Sequence, residues 1–240
     1  MEMAVVMIRL DKYLADMGIG TRAEVKKYVR QGKVKIDGKI VKSPEEKVDI
    51  ATQEVSFLDQ TVSYETFEYY MLNKPAGVIS ATMDAKDKTV IDLIASKKRK
   101  DLFPVGRLDK DTEGLLLITN DGELAHRLLS PKKHVDKVYY AKVKGVVTER
   151  DAKAFAEGVS LGQGEMAKPA ALEILVSDEI SEIRLTIQEG KFHQVKRMFL
   201  SVGKEVVYLK RLSMGTLVLD ESLPLGGYRP LTREELEQLC

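Results

Sequence analysis

The sequence has one cysteine, no tryptophan and no long apolar run. The cysteine, Cys240, is the last residue, which excludes an internal disulfide and a cysteine-based metal cluster and suits a reducing compartment. No stretch approaches the roughly 18 consecutive apolar residues that a membrane-spanning helix needs. The weakly apolar segment Met1–Met7 is too short and lacks the basic residues of a signal peptide. We therefore expect a cytoplasmic protein that does not contact a membrane.

The chain also has almost no overall charge, because its 38 basic and 37 acidic residues leave a formal net charge of only +1. The charges are segregated: residues 9–42 hold ten Lys or Arg and four acids, whereas residues 43–68 hold seven acids and one Lys. A basic cluster of this size suits contacts with nucleic-acid phosphates, although a solvated helix face gives the same pattern. The candidate phosphate contacts are Arg9, Lys12, Arg22, Lys26, Lys27, Arg30, Lys33 and Lys35.

The basic segment has the pattern of a small separate module. Residues 9–17 begin with Arg-Leu-Asp-Lys-Tyr-Leu and carry apolar side chains at helical spacing. Thr21 and Glu24 form a capping-box pattern that opens a second helix, and Asp37-Gly38 is typical of a hairpin turn. This order resembles the S4 RNA-binding domain. The resemblance implies docking on structured RNA through the second helix and the loop after it.

The centre of the chain is a charged loop that runs into an apolar strand. Residues 106–122 read Gly-Arg-Leu-Asp-Lys-Asp-Thr-Glu-Gly-Leu-Leu-Leu-Ile-Thr-Asn-Asp-Gly, and the run at 115–119 has the length of a buried strand. Asp109, Asp111 and Glu113 therefore lie on a loop that is anchored to the core while its side chains stay reachable.

The residues alone leave three interpretations of this loop open. It could bind calcium, although the bidentate glutamate expected at the twelfth position of an EF-hand loop is replaced by Asn120. It could present one reactive carboxylate beside Arg107, whose charge favours the ionised form. It could also be a polar turn that only connects two strands.

The motif Gly106-Arg107-Leu108-Asp109, with Thr112, Gly114 and the leucine run, resembles the catalytic motif of RNA pseudouridine synthases. The similarity is greatest to the branch that modifies small-subunit rRNA, and the large-subunit branch is close behind. The resemblance implies that Asp109 is the catalytic carboxylate and that Arg107 and Thr112 contact the substrate. Arg107 would fill the space left by a flipped-out base, and no metal or cofactor would take part.

Two further segments resemble motifs of the same family. Lys74-Pro75 matches its first motif, which implies a turn that Lys74 and Pro75 shape beside the active site. Lys137-Val138-Tyr139 matches a Lys-x-Tyr pattern, which implies that Tyr139 meets the target base. Tyr140 is the less suitable partner, because adjacent side chains of a strand point to opposite faces.

A third segment, Glu189 to Phe199, predicts a glycine turn that leads into an amphipathic helix. It contains His193-Gln194-Val195-Lys196 and resembles the family's third motif, in which a basic residue pairs with the catalytic aspartate. The matching residue is Lys196, and Arg197 is the alternative. Many relatives carry arginine at the position of Lys196, so a lysine there would pair as a point charge, not as a fork.

The predicted architecture is α+β, with an S4 domain at residues 7–60, a linker at 61–66 and a pseudouridine synthase domain at 67–240. The mixed, mainly antiparallel sheet of the second domain is implied by the resemblance. The local patterns also predict a short helix at 89–95 and a helix at 123–129 that Pro131 closes. The basic run at 97–100 is either a solvated loop or a second RNA contact.

The resemblance implies that the chain isomerises one uridine of small-subunit (16S) rRNA to pseudouridine. Ribosomal RNA is then its partner, and we expect the protein to act as a monomer. Two alternatives remain from the sequence: an enzyme for large-subunit (23S) rRNA, and a non-catalytic S4 protein that binds RNA or assists ribosome assembly.

Overall fold

The computed structural model describes residues 6–130 and 133–239, which divide into two units. The first unit contains the chain up to Glu68 together with Ser96–Leu102. The second contains Tyr69–Ala95 and the chain from Phe103 onward. Pro131, expected to close a helix, lies outside the described residues. No helix of the described ranges is long and apolar enough to cross a bilayer.

The first unit consists of two short helices and small sheets. Its elements are β1 (Met7–Arg9), α1 (Leu10–Asp16), α2 (Arg22–Arg30), β2 (Val34–Ile36), β3 (Lys39–Ile40), β4 (Lys47–Asp49), β5 (Val55–Phe57) and β6 (Gln60–Thr61). The order of its larger sheet is β3-β2-β5-β6, and β1 pairs with β4. Helix α2 begins at the predicted capping box, in which Thr21 N donates to Glu24 at 2.7 Å and Glu24 N donates to Thr21 Oγ1 at 3.3 Å.

Residues 61–66, expected to form a linker, pack within the first unit. Tyr13 Oη donates to the carbonyl of Val62, and the rings of Tyr13 and Tyr64 lie 4.9 Å apart. Tyr64 Oη donates to Asp16 at 2.8 Å. These contacts tie the segment to helix α1, because an aromatic pair with hydrogen-bonded hydroxyls is a stable part of a core and not a free connection.

The basic run at 97–100 also belongs to the first unit, and it is not uniformly solvated. Arg99 is only 5% exposed. Its guanidinium pairs with Asp101 and lies 3.5 Å from Asp16, and it donates to Tyr64 Oη at 3.1 Å. The expectation of an exposed loop is therefore wrong for Arg99, because a buried guanidinium with these partners is a structural group.

The second unit is built on a nine-stranded sheet. Its elements are β7 (Tyr69–Lys74), β8 (Phe103–Pro104), β9 (Glu113–Thr119), α3 (Gly122–Leu129), β10 (Lys137–Lys144), α4 (Glu149–Glu157), β11 (Ser160–Gly162), β12 (Glu165–Met166), β13 (Ala171–Val176), β14 (Ile180–Ile187), α5 (Gln194–Ser201), β15 (Glu205–Met214), β16 (Leu217–Val218), β17 (Tyr228–Pro230) and α6 (Arg233–Leu239). The strand order is β13-β14-β10-β15-β9-β7-β17, with β8 on β9 and β16 on β15. Only the β9–β15 pair is parallel among the paired strands described, which confirms the predicted α+β class with a mixed, mainly antiparallel sheet.

The helix predicted at 89–95 is a single 3-10 turn, Ile91–Leu93. Thr89 and Asp92 cap each other, since Asp92 accepts from the amide and hydroxyl of Thr89. Ile94 then leaves helical geometry with ψ of 85° and is fully buried. Val90, Ile91 and Ile94 are all buried in and beside this turn. A tight local bend suits them better than a longer helix, in which β-branched residues lose side-chain freedom.

Strand β9 occupies the centre of the second unit, and its position explains its apolar sequence. The side chains of Leu115, Leu116, Leu117 and Ile118 are fully buried. Alternate residues of a strand face opposite sides, so a run with no exposed residue shows that both faces of β9 are covered. Leu124 and Leu128 of α3 cover one of them. The charged loop before β9 is therefore attached to a strand that is buried on both faces.

Gly114, at the start of β9, allows β9 and β15 to approach each other closely. Its φ is +100°, and an added Cβ would overlap the carbonyl oxygen of Arg211 and lie 2.8 Å from the Arg211 amide nitrogen. Both the backbone conformation and the contact therefore exclude other residues.

We expect Gly114→Ala to lower the free energy of unfolding by about 3 kcal/mol, because it adds strain and overlap at a central strand. The thermal midpoint should fall by about 10 °C in a calorimetric scan. Gly122→Ala is the matched control, since nothing lies within 4 Å of its added Cβ. Equal thermal midpoints for the two variants would contradict the prediction, because they would show that the contact between β9 and β15 tolerates a Cβ at position 114.

Candidate active site

Lys74, the last residue of β7, makes hydrogen bonds to the backbone of the loop between β8 and β9. Lys74 is fully buried. Its Nζ lies within hydrogen-bond distance of four carbonyl oxygens: Pro75 at 3.0 Å, Asp109 at 3.0 Å, Lys110 at 3.3 Å and Thr112 at 2.8 Å. An ammonium has three N–H donors, so these acceptors share its hydrogens. Three of the four carbonyls belong to the loop, and Lys74 therefore fixes its backbone from Asp109 to Thr112.

Burial lowers the pKa of Lys74 to about 8, and the nearby carboxylates of Asp111, Asp109 and Glu113 oppose that effect. The group therefore remains an ammonium at pH 7. A charged donor makes stronger hydrogen bonds to carbonyls than a neutral amine does. The sequence predicts only that Lys74 and Pro75 shape a turn, but the side chain of Lys74 also anchors the loop that carries Asp109.

Asp109 projects from this loop with its side chain 28% exposed. Its Oδ2 lies 3.5 Å from Lys196 Nζ, and its Oδ1 lies 3.6 Å from His193 Nε2. Lys196 also makes two hydrogen bonds to Asp111, at 2.6 and 2.8 Å, which hold the pKa of Asp111 below its usual range. One ammonium therefore bridges two carboxylates, and the closer of the two is Asp111.

Arg197, the alternative partner of Asp109, is directed elsewhere. Its Nη2 pairs with Glu165 at 2.7 Å, and its Nε donates to the carbonyl of Leu161 at 2.9 Å. Arg197 thus joins helix α5 to the β11–β12 hairpin. The cation between Asp109 and Asp111 is the protein's own lysine, an arrangement that offers no support for the calcium interpretation.

The turn that carries His193 is fixed by two buried residues that the sequence analysis did not single out. Gln194 Nε2 donates to Glu189 at 2.7 Å, and Gln194 Oε1 accepts from the amide of Lys191 at 2.9 Å. Glu189 also accepts from the amide of Lys168. His193 adopts the left-handed conformation, with φ of 46°, at the start of α5. The sequence signals for this network were Glu189 beside Gly190 and Gln194 within the third motif, but neither indicates which partner it contacts.

These elements border a cleft with Asp109 at its centre. The cleft consists of two adjoining cavities that share Arg107, Asp109, Gly190, Lys191 and His193. The first is also lined by Leu108, Thr112, Tyr139, Ile187, Gln194, Val195, Lys196 and Leu209. The second is also lined by Gly106, Leu129, Lys137, Glu189 and Phe192. Five residues predicted for the site therefore share one cleft, namely Arg107, Asp109, Thr112, Tyr139 and Lys196. Their positions span 90 residues of the sequence, and the sheet brings them together.

Tyr139 and Thr112 line the cleft from buried positions. Tyr139 is 7% exposed and Thr112 is 2% exposed. Thr112 Oγ1 is buried and has no hydrogen-bond partner among the described residues, which is uncommon for a buried hydroxyl. Tyr140 contacts Tyr208 edge-to-face at 6.0 Å on the other side of β10, where burial and a hydrogen bond to Glu182 raise its pKa to about 12.

The predicted RNA contacts belong to the first unit, and several of them have internal partners. Asp11, 1% exposed, lies 2.9 Å from Arg9, 3.4 Å from Arg22 and 3.8 Å from Lys26. Burial raises the pKa of Asp11, but the three cations outweigh it, so the pKa lies below its usual range. Lys35 pairs with Asp59. No carboxylate of the described residues pairs with the remaining predicted contacts, Lys12, Lys27, Arg30 and Lys33.

Comparison with known proteins identifies the class. The family model described as RNA pseudouridylate synthase matches residues 68–201, and that of the S4 domain matches residues 8–55. The chain belongs to the RNA pseudouridine synthase family and carries an S4 domain, which makes it an isomerase.

Three relatives and one solved structure extend over almost the whole chain. An uncharacterized RNA pseudouridine synthase of Bacillus subtilis is 53% identical, over 97% of this chain and 98% of the relative. Proteins called ribosomal small subunit pseudouridine synthase A are 44% identical in Haemophilus influenzae, over 97% and 99%, and 38% identical in Escherichia coli, over 95% and 98%. A crystal structure described as pseudouridylate synthase is 43% identical with a TM-score of 0.68, over 97% of this chain and 100% of the other.

We expect Lys74→Met to lower the rate of pseudouridine formation by about 100-fold, because an unanchored loop misplaces the groups on it. The thermal midpoint should fall too, since four carbonyls lose a charged donor. Lys88→Met is the matched control, because Lys88 is exposed. Tritium release from 5-tritiated uridine and a melting curve measure the two effects.

The same variant tests the protonation state. The pKa of Lys74 is about 8 in the folded chain and 10.5 in a free lysine, so the unfolded state binds more protons between these values. The stabilisation that Lys74 provides should therefore increase from pH 8 to 10.5. A difference in unfolding free energy between wild type and Lys74→Met that shrinks over this range would contradict the lowered pKa.

Proposed function

We propose that the chain isomerises one uridine of 16S rRNA to pseudouridine, with Asp109 as the reacting carboxylate. The observation that carries the proposal is the cleft in which Asp109 lies beside Lys196 and Tyr139. The choice of RNA is supported by the full-length relatives called ribosomal small subunit pseudouridine synthase A. We place the reaction in the cytoplasm and expect a monomer.

The reaction requires that the target base leaves its stack. The bond between ribose C1′ and uracil N1 breaks, the base turns, and C1′ forms a bond to C5. C5 loses a proton and N1 gains one, so the reaction needs neither an oxidant nor a reductant. An enzyme cannot reach these atoms within a helix and must flip the nucleotide out. Arg107, exposed at the edge of the cleft, is our candidate for the group that takes the vacated space.

The roles of the other groups follow from their positions. Asp109 must be ionised to attack or to drive cleavage of the glycosidic bond, and Lys196 places a positive charge 3.5 Å from it. Tyr139 contacts the uracil and is our candidate for removal of the proton from C5. Thr112 donates a hydrogen bond from its unpartnered hydroxyl to the bound nucleotide.

Asp109→Asn should abolish pseudouridine formation and leave the fold and the affinity for RNA largely intact. The change keeps the shape of the side chain and removes its charge, and no core hydrogen bond among the described residues uses this carboxylate. The assay is tritium release from 5-tritiated uridine, performed separately on 16S and 23S rRNA. Asp121→Asn is not a suitable control, because Asp121 caps α3; Asp178→Asn serves instead, on the exposed turn before β14.

Residual turnover within tenfold of wild type would show that Asp109 is not the reacting group. Wild-type release from 23S rRNA alone would assign the enzyme to the large subunit. Binding of rRNA with no release from either RNA would indicate a non-catalytic S4 protein.

The S4 domain should supply affinity, because the excess of basic residues lies there and the motifs for chemistry begin at Lys74. The best probes are Lys27, Arg30 and Lys33, which are exposed and free of carboxylate partners within the described residues. Arg22 and Lys26 are unsuitable, since their removal would also strip partners from buried Asp11.

Changing Lys27, Arg30 and Lys33 together to Gln should raise KM for rRNA and change kcat little. The slope of log KM against log salt should flatten by up to about three units, because phosphate contacts release counterions. The control changes Lys144, Arg150 and Lys153 to Gln, which removes the same charge from exposed sites of the other unit. A large fall in kcat with an unchanged salt slope would mean that the S4 domain is not the binding platform.

A further inference from the structure

Two buried cations, of which Lys137 lines the cleft and Arg211 lies opposite Tyr139 in the sheet, have no role in the proposed chemistry. Lys137 is 5% exposed and Arg211 is 2% exposed. The other buried cations of the described residues are Lys74, which has four carbonyl acceptors, and Arg99, which has carboxylates. No carboxylate of the residues that the structure describes lies within 4 Å of Lys137 or Arg211. Uncompensated charge of this kind is costly in a protein interior.

The hydrogen bonds of both cations are incomplete. Lys137 Nζ donates to the carbonyl of Val135 at 3.1 Å, which uses one of its three donors. Arg211 Nε donates to the carbonyl of Leu115 at 2.8 Å, whereas its Nη2 has no partner among the described residues. The two groups also repel each other: burial lowers the pKa of Lys137 and the charge of Arg211 lowers it further, while the charge of Asp136 only partly opposes them.

The sheet places both cations on the face that carries Tyr139. Lys137 and Tyr139 are two residues apart on β10, and both are buried. Arg211 of β15 lies directly opposite Tyr139 in the strand register. Lys137 lines the cleft together with Arg107 and Asp109, so a molecule in the cleft can reach its free donors.

We propose that Lys137, supported by the charge of Arg211 behind it, binds a backbone phosphate of the RNA next to the target nucleotide. The inference rests on the proposed function, since RNA is the molecule that enters this cleft. Phosphate is the one anionic group of RNA, and a neutral uracil oxygen would leave two buried positive charges uncompensated. A phosphate held here would fix the flipped nucleotide between Asp109 and Tyr139. Lys137 is then a positioning residue that acts on the backbone, not on the base.

The experiment measures RNA binding without turnover. Lys137→Met is introduced into full-length Asp109→Asn, and the dissociation constant for 16S rRNA is determined at four salt concentrations. Lys142→Met is the matched control, because Lys142 lies on the same strand and the opposite face, 45% exposed and paired with Glu182. Wild-type pseudouridine formation is measured on the same RNA.

Lys137→Met should raise the dissociation constant about tenfold, as expected for loss of a charge-assisted hydrogen bond. The salt slope should flatten by about 0.7 to 0.9, the value for one phosphate contact. The thermal midpoint should not fall, because the change separates no ion pair and removes a buried repulsion. Lys142→Met should change neither binding nor the slope. Lys137→Gln, neutral and polar, serves if the Met variant does not fold.

Binding and salt slope that match those of Lys142→Met would overturn the phosphate site. If wild type forms no pseudouridine but Lys137→Met still weakens binding with a flatter slope, the proposed function fails and the phosphate site stands. If the chain does not bind 16S rRNA at all, both are overturned.

Discussion

The second unit depends on one buried ammonium. Lys74 ends β7, and its Nζ contacts the carbonyls of Asp109, Lys110 and Thr112 in the loop before β9. Without the ammonium of Lys74, these carbonyls would be buried without hydrogen-bond partners, which is costly. The lysine satisfies them with a single charged group and fixes the direction of the Asp109 side chain at the same time. The stability of the loop and the placement of the Asp109 carboxylate therefore depend on the same interaction.

The electrostatics of the cleft follow from that placement. Asp109 lies within 4 Å of two cationic or protonatable groups, and Lys196 is shared with Asp111. Asp111 is the more exposed carboxylate and makes the shorter contacts, so it orients Lys196 while Asp109 retains free oxygens for a substrate. The network of Glu189 and Gln194 holds the turn on the other side. Both walls of the cleft are thus preorganised, which is the condition for electrostatic stabilisation of a developing charge.

Local patterns predicted the elements of this structure better than its long-range contacts. The capping box at Thr21, the hairpin at Asp37 and the buried strand at 115–119 each depend on neighbouring residues, and each is present. Lys74 and Lys196 contact residues 35 to 38 and 85 positions away, and no periodicity in the sequence encodes such distances. Arg99 shows the same limit: its run of four basic residues is typical of a solvated loop, yet the tertiary fold supplies Asp16 and Tyr64 as partners. The motifs were recognisable because they resemble a known family, whereas the structural roles of Glu189, Gln194 and Arg211 became visible only through their contacts.

Pairing with carboxylates, more than the total charge, distinguishes the cations that are committed to the fold from those that remain available to a partner. The net charge of +1 conceals a basic segment and an acidic one. Within the basic segment, Arg9, Arg22 and Lys26 surround buried Asp11, so part of its charge is committed to the fold. The cations without a carboxylate partner in the described residues are the ones that an RNA phosphate can contact at no internal cost, because no existing ion pair must break. By the same reasoning, Lys137 is buried, has no carboxylate partner in the described residues and lines the cleft, so an anionic group of the substrate would compensate its charge.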